Sequence, residues 1–342
     1  MQMRAFITGI SGPELSAAER EFIRSQRPWG FILFKRNIEA PDQVVQLVRE
    51  LRKEQGSPEA PVLIDQEGGR VQRLGPPHWP VYPPGAVFGA LYDVDPTLGL
   101  TAARLSARLI AADLHETGIN VDCLPLADVP VAGADAVIGN RAYGTEPGKV
   151  AAIARAVAQG LQQGGILPVL KHIPGHGRAT ADTHFRLPKV DTPKMELERT
   201  DFAAFRPLAD LPMAMTAHVV FSALDPAHPA TTSATIIAHV IRGVIGFQGL
   251  LMSDDVSMNA LAGSIAERTR AIVAAGCDIV LHCNGKLDEM REVAAETPEL
   301  SGQALRRAER ALASRQPPQP FDRSRARAEL DGLIERAGMT GA

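Results

Sequence analysis

The sequence predicts an α/β fold, a single (β/α)8 barrel of the TIM type with extra helices at its C-terminal end. Short apolar runs alternate with helical patterns along most of the 342 residues. These runs are continuously apolar rather than alternating with polar residues, which is typical of parallel strands that are buried on both faces. Eight such runs can be counted, and that number favours a closed barrel over an open doubly wound sheet.

The eight predicted strands are short runs rich in aliphatic residues. They span residues 5–9, 30–34, 61–64, 118–123, 166–170, 213–217, 249–253 and 278–282. Apolar residues at helical spacing occupy the longer intervals between these strands. The helices predicted there are 41–54, 96–117, 148–164, 233–245 and 264–275. A glycine stands at or just past the end of four of them, where a left-handed residue is usual; these are Gly118, Gly164, Gly246 and Gly276.

Three further helical patterns follow the last predicted strand and are expected to pack outside the barrel. They cover residues 286–296, 300–313 and 323–337. No Ser/Gly-rich linker or charge block divides the chain, and no repeat of short period is visible. We therefore predict one catalytic barrel domain over residues 1–342, with 286–342 forming C-terminal helices packed on it.

Composition excludes several classes of partner. A net charge of −3, with no basic run of five or more residues, gives no electrostatic reason to expect nucleic acid. Cys123, Cys277 and Cys283 are too few, and too apolar in context, for a disulfide framework, so we expect buried free thiols. No apolar run approaches a membrane span of about 20 residues, and the amino terminus has no apolar signal region. A location in the cytoplasm is therefore expected.

Polar residues gather where the predicted strands end. In (β/α)8 enzymes the loops at the carboxyl ends of the strands carry the chemistry, so this pattern predicts an active site. The residues are Asp65, Gln66, Glu67 and Arg70 after the third strand, Lys171 and His172 after the fifth, His218 after the sixth, and Asp254 and Asp255 after the seventh.

The densest group of titratable residues follows the fifth strand. It consists of 171–177 (KHIPGHG) and 182–184 (DTH), and Pro174, Gly175 and Gly177 prevent a helix there. A loop of this kind after a buried strand is typical of an active site.

The histidines of this loop have two interpretations. His172, His176 and His184 invite a metal site, but the intervening Pro-Gly denies the helical geometry of an H-x-x-x-H zinc motif. Alternatively, Asp182 orients the His184 imidazole and makes it a general acid/base near neutral pH. His172 would then contact a polar substrate together with Lys171, and His176 would be part of the loop structure.

Other polar residues also have a structural alternative. Asp254 and Asp255 could cap the helix after their strand, or they could supply a carboxylate nucleophile or an ion-pair partner. Asp65 is placed to accept hydrogen bonds from the vicinal hydroxyls of a sugar. Gly68 and Gly69 could instead cradle a phosphate, although no G-x-x-x-x-G-K-[ST] pattern supports this. The arginines near these residues could equally cap helices or pair with surface acids; they are Arg70, Arg73 and Arg141.

Five segments carry a family resemblance when they are taken together. They are 64–73 (IDQEGGRVQR), 139–141 (GNR), 171–177 (KHIPGHG), 182–184 (DTH) and 253–258 (SDDVSM). They resemble glycoside hydrolase family 3, and most closely its single-domain β-N-acetylglucosaminidases of the cell-wall recycling type. Thr183 and Ile173 stand where serine and an aromatic residue are commoner, but neither change removes a required functional group.

The resemblance implies a role for each matching residue. Asp254 corresponds to the nucleophile, and His184 to an unusual histidine acid/base whose dyad partner is Asp182. No cofactor and no metal are implied. The expected partner is a small-molecule sugar substrate, and a monomer is expected. The residues that correspond to the binding site for the terminal N-acetylglucosamine are Asp65, Arg73, Arg141, Lys171 and His172.

The resemblance also implies an activity. A retaining β-N-acetylhexosaminidase would remove terminal N-acetylglucosamine from GlcNAc-1,6-anhydroMurNAc and its peptides through a glycosyl-enzyme. A histidine acid, with an ordinary pKa of about 6.5, suits protonation of the leaving oxygen near neutrality and places no second anion beside an anionic muropeptide. A phosphorylase that uses the same site, or a non-catalytic sugar-binding barrel, is the alternative.

Overall fold

The computed structural model describes residues 3–179 and 187–336. The strands in this part of the chain are β1 Arg4–Thr8, β2 Pro28–Leu33, β3 Val62–Ile64, β4 Val121–Asp122, β5 Leu167–Ile173, β6 Lys189–Val190, β7 Met213–Thr216, β8 Val220–Phe221, β9 Leu250–Asp255 and β10 Ile279–His282. β1 to β5 close into a barrel with β7, β9 and β10, and every neighbouring pair is parallel. The predicted fold class is confirmed.

Each of the eight predicted strands corresponds to a barrel strand, but two run further than predicted. β5 continues to Ile173 and β9 continues to Asp255. Lys171 and Asp254 therefore lie on strands rather than in the loops that follow, and the barrel wall holds their main chain. The sequence also failed to predict β6 and β8, which pair with each other as a small parallel sheet outside the barrel.

The helices of the described residues are α1 Ala17–Gln26, α2 Pro41–Gln55, α3 Gly85–Val94, α4 Pro96–Thr117, α5 Pro147–Gln163, α6 Lys194–Arg199, α7 Asp201–Phe205, α8 Ile265–Ala275, α9 Leu287–Glu296, α10 Gly302–Ala313 and α11 Arg323–Arg336. The helix predicted at 233–245 is a π-helix, Ile236–Val244. α1, α3, α6 and α7 were not predicted. Gly164 is not left-handed, with φ of −86°, and its neighbour Gly165 takes φ of +75° instead.

Two apolar clusters make up the core. The smaller one fills the barrel interior with alternate strand residues such as Ile7, Leu63 and Val169. The larger one lies between the barrel wall and the helices. The three cysteines are free and buried, as predicted. Within residues 3–179 and 187–336, no helix has the length and apolar character needed to cross a membrane.

α10 packs across the amino-terminal end of the barrel. Its Ala308 and Ala311 belong to the interior cluster, as does Leu300 just before it. Arg307 of the same helix forms a 2.9 Å ion pair with Asp278, directly before β10 begins. The barrel is therefore closed at the end opposite to the predicted active site.

Candidate active site

A cavity of about 280 Å³ lies at the carboxyl ends of the barrel strands. The ends of β5, β7, β9 and β10 line it, together with the loops that follow β3 and β4. This is the end of a (β/α)8 barrel at which enzymes place their chemistry. The charged and imidazole side chains in its lining are Asp65, Arg70, Arg73, Arg141, Lys171, His172, His176, Asp254 and Asp255.

A buried lysine joins two of the acidic residues at the cavity. Lys171 Nζ lies 2.9 Å from Asp65 Oδ1 and 2.6 Å from Glu67 Oε1. Arg141 binds Glu67 through both Nε and Nη2, each at 2.8 Å, and Arg73 Nη2 lies 3.1 Å from Asp65 Oδ2. Two carboxylates and three cations thus form one network, in which bidentate geometry fixes the guanidinium of Arg141.

The network keeps its members ionised. Burial raises the pKa of Glu67, but the positive charges of Lys171 and Arg141 outweigh burial and lower it to about 2. The pKa of Asp65 also lies well below its usual range, because Lys171 and Arg73 overcome the effect of burial. Burial lowers the pKa of Lys171, yet Asp65 and Glu67 raise it above its usual value. At neutral pH neither carboxyl group can therefore act as a proton donor.

Asp128 orients the side chain of His172 and the main chain of His176. It is fully buried in the loop after β4, and its Oδ2 accepts a 2.7 Å hydrogen bond from His172 Nδ1. Its Oδ1 accepts another from His176 N at 2.7 Å. Burial raises the pKa of Asp128, but the two histidines lower it below its usual range. The ionised carboxylate fixes the proton of His172 on Nδ1 and leaves Nε2 as the other ring nitrogen.

His176 packs edge-on against the ring of His172, with the centroids 5.6 Å apart. It is almost fully buried, and its Nδ1 has no hydrogen-bond partner among the described residues. Burial and the adjacent His172 lower the pKa of His176 to about 4. His176 is therefore neutral at physiological pH.

The two aspartates at the end of β9 have different surroundings. Asp255 accepts hydrogen bonds from Ser257 N at 3.0 Å, Ser257 Oγ at 2.6 Å and Cys283 N at 3.0 Å. Its carboxylate thus holds the turn after β9. The helix cap considered for this pair is wrong, because α8 begins at Ile265 and its N-cap is Ser264. Asp254 Oδ1 accepts a hydrogen bond from Asp255 N at 2.8 Å, and the side chain lines the cavity.

Asp254 is an ionised carboxylate within reach of the cavity. Burial raises its pKa, but His218, His172, the hydrogen bond from Asp255 N and Lys171 together lower it below its usual range. A carboxylate that stays charged while partly exposed to a cavity is available as a nucleophile.

An aromatic residue that was not predicted as a site residue forms part of the cavity wall. Phe34 lies in the cavity lining directly after β2. The guanidinium carbon of Arg36 lies 4.9 Å from its ring centroid and that of Arg73 lies 5.3 Å away. Cation–π contacts of this kind hold Arg73 beside Asp65. Asp128 was also missed, although it follows the fourth strand and the rule applied to the other strand ends would have found it.

Six of the predicted site residues line one cavity; they are Asp65, Arg73, Arg141, Lys171, His172 and Asp254. Arg73 pairs with the half-buried Asp65 and Arg141 with the buried Glu67, so neither arginine pairs with a surface acid. Asp182 and His184 lie outside the described residues. In the part of the chain that the structure describes, no group of three or more His, Cys, Asp or Glu side chains is arranged to hold a metal ion.

The phosphate cradle considered for Gly68 and Gly69 is wrong. Gly68 N donates to Val71 O and Gly69 N donates to Tyr82 O, so neither amide is available to an anion. A Cβ on Gly68 would lie 2.4 Å from the carbonyl oxygen of Pro83. Glycine is needed here because two segments of main chain approach closely and because both residues have positive φ.

Comparison with known proteins identifies the family. The family model described as "Glycosyl hydrolase family 3 N terminal domain" matches residues 2–313. The chain belongs to glycoside hydrolase family 3. The family 3 resemblance that the five sequence segments predicted is therefore confirmed, and the chain is a glycoside hydrolase.

Relatives within family 3 agree on the type of hydrolase. The beta-hexosaminidase of Alkalilimnicola ehrlichii is 38% identical over 291 residues, which are 83% of this chain and 82% of that protein. The beta-hexosaminidase of Bordetella avium is 35% identical over 84% of this chain and 83% of that protein. The crystal structure of NagZ from Neisseria gonorrhoeae in complex with N-trifluoroacetyl-D-glucosamine has a TM-score of 0.84 and 30% identity, and covers 100% of this chain and 99% of that one. This family 3 hydrolase is therefore of the NagZ-like β-hexosaminidase type.

Proposed function

We propose that the chain is a retaining β-N-acetylglucosaminidase that removes terminal N-acetylglucosamine from GlcNAc-1,6-anhydroMurNAc and its peptides. The observation that carries the proposal is the ionised Asp254 at the end of β9, which lines the same cavity as the network around Lys171. Asp254 supplies a nucleophile, and the network around Lys171 supplies charged hydrogen-bonding groups for a sugar. A double displacement through a glycosyl-enzyme follows from that pairing.

The choice of Asp254 over Asp255 rests on their hydrogen bonds. Asp255 uses both carboxylate oxygens to hold Ser257 and Cys283. A carboxylate engaged in this way would have to break structural bonds before it could attack an anomeric carbon. Asp254 is ionised at the pH of catalysis and lines the cavity, so it can attack without that cost.

The acid/base is proposed to be His184, oriented by Asp182. Two described titratable groups supply indirect support, one in the cavity lining and one directly behind it. Glu67 has a pKa of about 2 and His176 a pKa of about 4, so neither carries a proton to donate near neutrality. An imidazole of ordinary pKa, about 6.5, would protonate the leaving oxygen and then activate water.

Sugar recognition is proposed to fall on Asp65, assisted by Arg73, Arg141, Lys171 and His172. The side chain of Asp65 is 17% exposed, whereas that of Glu67 is 4% exposed, so Asp65 is the carboxylate of the network that a sugar hydroxyl can reach. Glu67 acts from behind by fixing the cations. A site that is already paired and charged before substrate arrives loses little free energy to reorganisation.

Asp65→Ala is expected to lower kcat/KM by about 10- to 150-fold, because losing a charged hydrogen bond costs about 1.5–3 kcal/mol. Steady-state kinetics on p-nitrophenyl N-acetyl-β-D-glucosaminide measures the change. Asp210→Ala is the matched control, since it breaks the exposed ion pair with Arg155 outside the cavity, and it should leave kcat/KM unaltered. Unchanged kinetics in Asp65→Ala would remove this residue from the sugar site.

The wider setting is also a proposal. We infer that residues 1–342 act as one catalytic unit, because the match to the Neisseria gonorrhoeae NagZ structure covers almost the whole of both chains. A monomer in the cytoplasm that recycles peptidoglycan fragments fits this proposal. The exposed Arg70 at the cavity, whose guanidinium donates to Val137 O, offers a positive charge to the carboxylates of such fragments.

The activity assay separates the proposed hydrolase from its alternatives. We expect release of p-nitrophenol from the N-acetyl-β-D-glucosaminide at a rate independent of added phosphate, with free N-acetylglucosamine first formed as the β-anomer by NMR. A phosphorylase would instead require phosphate and yield the sugar 1-phosphate. A sugar-binding barrel would release nothing while still binding N-acetylglucosamine in calorimetry. GlcNAc-1,6-anhydroMurNAc should be cleaved with a higher kcat/KM than chitobiose, and the reverse order would contradict the muropeptide assignment.

A further inference from the structure

Four hydrogen bonds link the main chain on the two sides of the Asp254 carboxylate. Asp254 N donates to Thr216 Oγ1 at 3.3 Å, and Thr216 Oγ1 lies 2.8 Å from Thr231 Oγ1. Thr231 Oγ1 lies 2.8 Å from His218 Nδ1, and His218 Nε2 lies 2.9 Å from Asp255 O. The side chains of Thr216, Thr231 and His218 are fully buried.

When the His218 imidazole is neutral, the two ends of this series of hydrogen bonds fix the direction of every bond between them. A main-chain N–H only donates and a carbonyl only accepts, so His218 Nε2 must carry a proton to reach Asp255 O. In the neutral imidazole, Nδ1 then accepts from the hydroxyl of Thr231. Thr231 Oγ1 in turn accepts from the hydroxyl of Thr216, which accepts from Asp254 N. Every donor in the chain has one acceptor.

The same series of hydrogen bonds can also form when both ring nitrogens of His218 carry a proton. If Nδ1 is protonated, it donates to Thr231 Oγ1, and the hydroxyl of Thr231 can turn to Ala217 O, which lies 3.0 Å away. In either state the bond from His218 Nε2 to Asp255 O remains. The imidazole can therefore hold the end of β9 whether or not it is charged.

This series of hydrogen bonds lies where the main-chain hydrogen bonds between β7 and β9 end and hydrogen bonds to side chains replace them. β7 and β9 pair with each other through Met215 and Met252. Two residues further on, Asp254 N donates to a threonine side chain. The position of the Asp254 carboxylate therefore depends on three side chains, from β7, from the turn Ala230–Thr232 and from the residue two positions past β7.

We propose that His218, Thr231 and Thr216 are positioning residues for the nucleophile. They clamp the main chain at Asp254 N and Asp255 O, and so aim the Asp254 carboxylate at the anomeric carbon. The inference rests on the proposed role of Asp254. His218 has a second effect, because it is the first of the neighbouring groups that lower the pKa of Asp254 against burial.

The test uses pairs of nearly isosteric variants at buried threonines. Thr231→Val removes the hydroxyl and breaks the chain in the middle, whereas Thr231→Ser keeps it. Because misplacement of a reacting group by about 1 Å costs about 100-fold in rate, Thr231→Val should lower kcat by about 10- to 100-fold. KM should change less than about twofold, since sugar contacts are untouched. Thr231→Ser should restore most of kcat.

Thr269→Val is the control for the loss of a buried hydroxyl elsewhere. Thr269 is fully buried on α8, and its hydroxyl donates to Ile265 O at 2.8 Å. Both valine variants should lose thermal stability, but Thr269→Val should keep the kcat of the parent. If Thr231→Val does not accumulate as folded protein, Thr216→Val with Thr216→Ser makes the same comparison at the next link.

Two outcomes overturn the inference. A normal kcat in Thr231→Val would show that the hydroxyl does not position the nucleophile, and a loss that Thr231→Ser fails to restore would point to packing. Asp254→Ala, assayed in parallel, distinguishes this failure from failure of the proposed function. Turnover retained in Asp254→Ala would contradict the function itself, whereas an inactive Asp254→Ala beside a normal Thr231→Val would contradict the positioning role alone.

Discussion

Asp254→Ala is expected to lower kcat by at least about 10⁴-fold, the size of effect that removal of a catalytic group has in other hydrolases. The physical reason is that each of the other described carboxylates in the cavity is already engaged, either in an ion pair or in hydrogen bonds that hold a turn. Asp65 belongs to the Lys171 network and Asp255 caps Ser257. Binding of N-acetylglucosamine should remain measurable by calorimetry, because the groups proposed to bind the sugar are left in place.

A slow substrate with a 2-fluoro substituent should label the nucleophile covalently. Peptide mass spectrometry is then expected to find the sugar on Asp254. Asp255→Asn gives the comparison, since it weakens the turn held through Ser257 and Cys283 but leaves the proposed nucleophile intact. It should lose stability and still become labelled. A label on Asp255 in the parent protein would mean that the wrong carboxylate was chosen.

The second large effect is expected at His184. His184→Ala should lose about 10²- to 10⁴-fold in rate on a disaccharide, which is the usual contribution of a general acid. The same variant should lose far less on a dinitrophenyl glycoside, because an activated aryl oxide leaves without a proton. The rate of the parent enzyme falls as the pH rises through the pKa of the acid, because the acid then loses its proton. Removing His184 should flatten that alkaline limb, and Asp182→Asn should show the same pattern in milder form.

His172→Ala is the informative comparator for this test. His172 also forms a histidine–carboxylate pair, through its 2.7 Å bond to Asp128, and it lines the cavity. If His172 has the proposed sugar-binding role, His172→Ala should lower the rate by similar factors on both substrates. If His172→Ala shows the dependence on leaving group and His184→Ala does not, the His172–Asp128 pair is the acid/base and His184 has a structural role.

Strand positions could be predicted well because a barrel buries both faces of its sheet. Each predicted apolar run coincides with a barrel strand, and the rule that chemistry follows strand ends brought Lys171, His172 and Asp254 to one cavity. Two-residue strands such as β6 and β8 bury too little apolar surface to leave a pattern. α1 could have been found, since Ser16 and Glu19 form a capping box at its start.

The pairings inside the site could not be predicted from the sequence. Asp128 and His172 are 44 residues apart, and Lys171 reaches Asp65 across 106 residues. Such contacts depend on strand register and barrel closure, which periodicity does not report. The pKa of about 2 for Glu67 depends on the same contacts. Its role behind Asp65 was therefore invisible, even though its position after the third strand was noted.

The closure of the barrel by α10 has a consequence for how this enzyme can change over time. The apolar contacts of Ala308 and Ala311 lie at one end of the barrel and the candidate active site lies at the other. Substitutions that strengthen the closed end can therefore accumulate without disturbing a catalytic geometry that tolerates little error. The added stability compensates for destabilising substitutions in the loops at the open end, and such substitutions can change which aglycones the enzyme accepts. In such a barrel, folding stability and substrate specificity depend on residues at opposite ends.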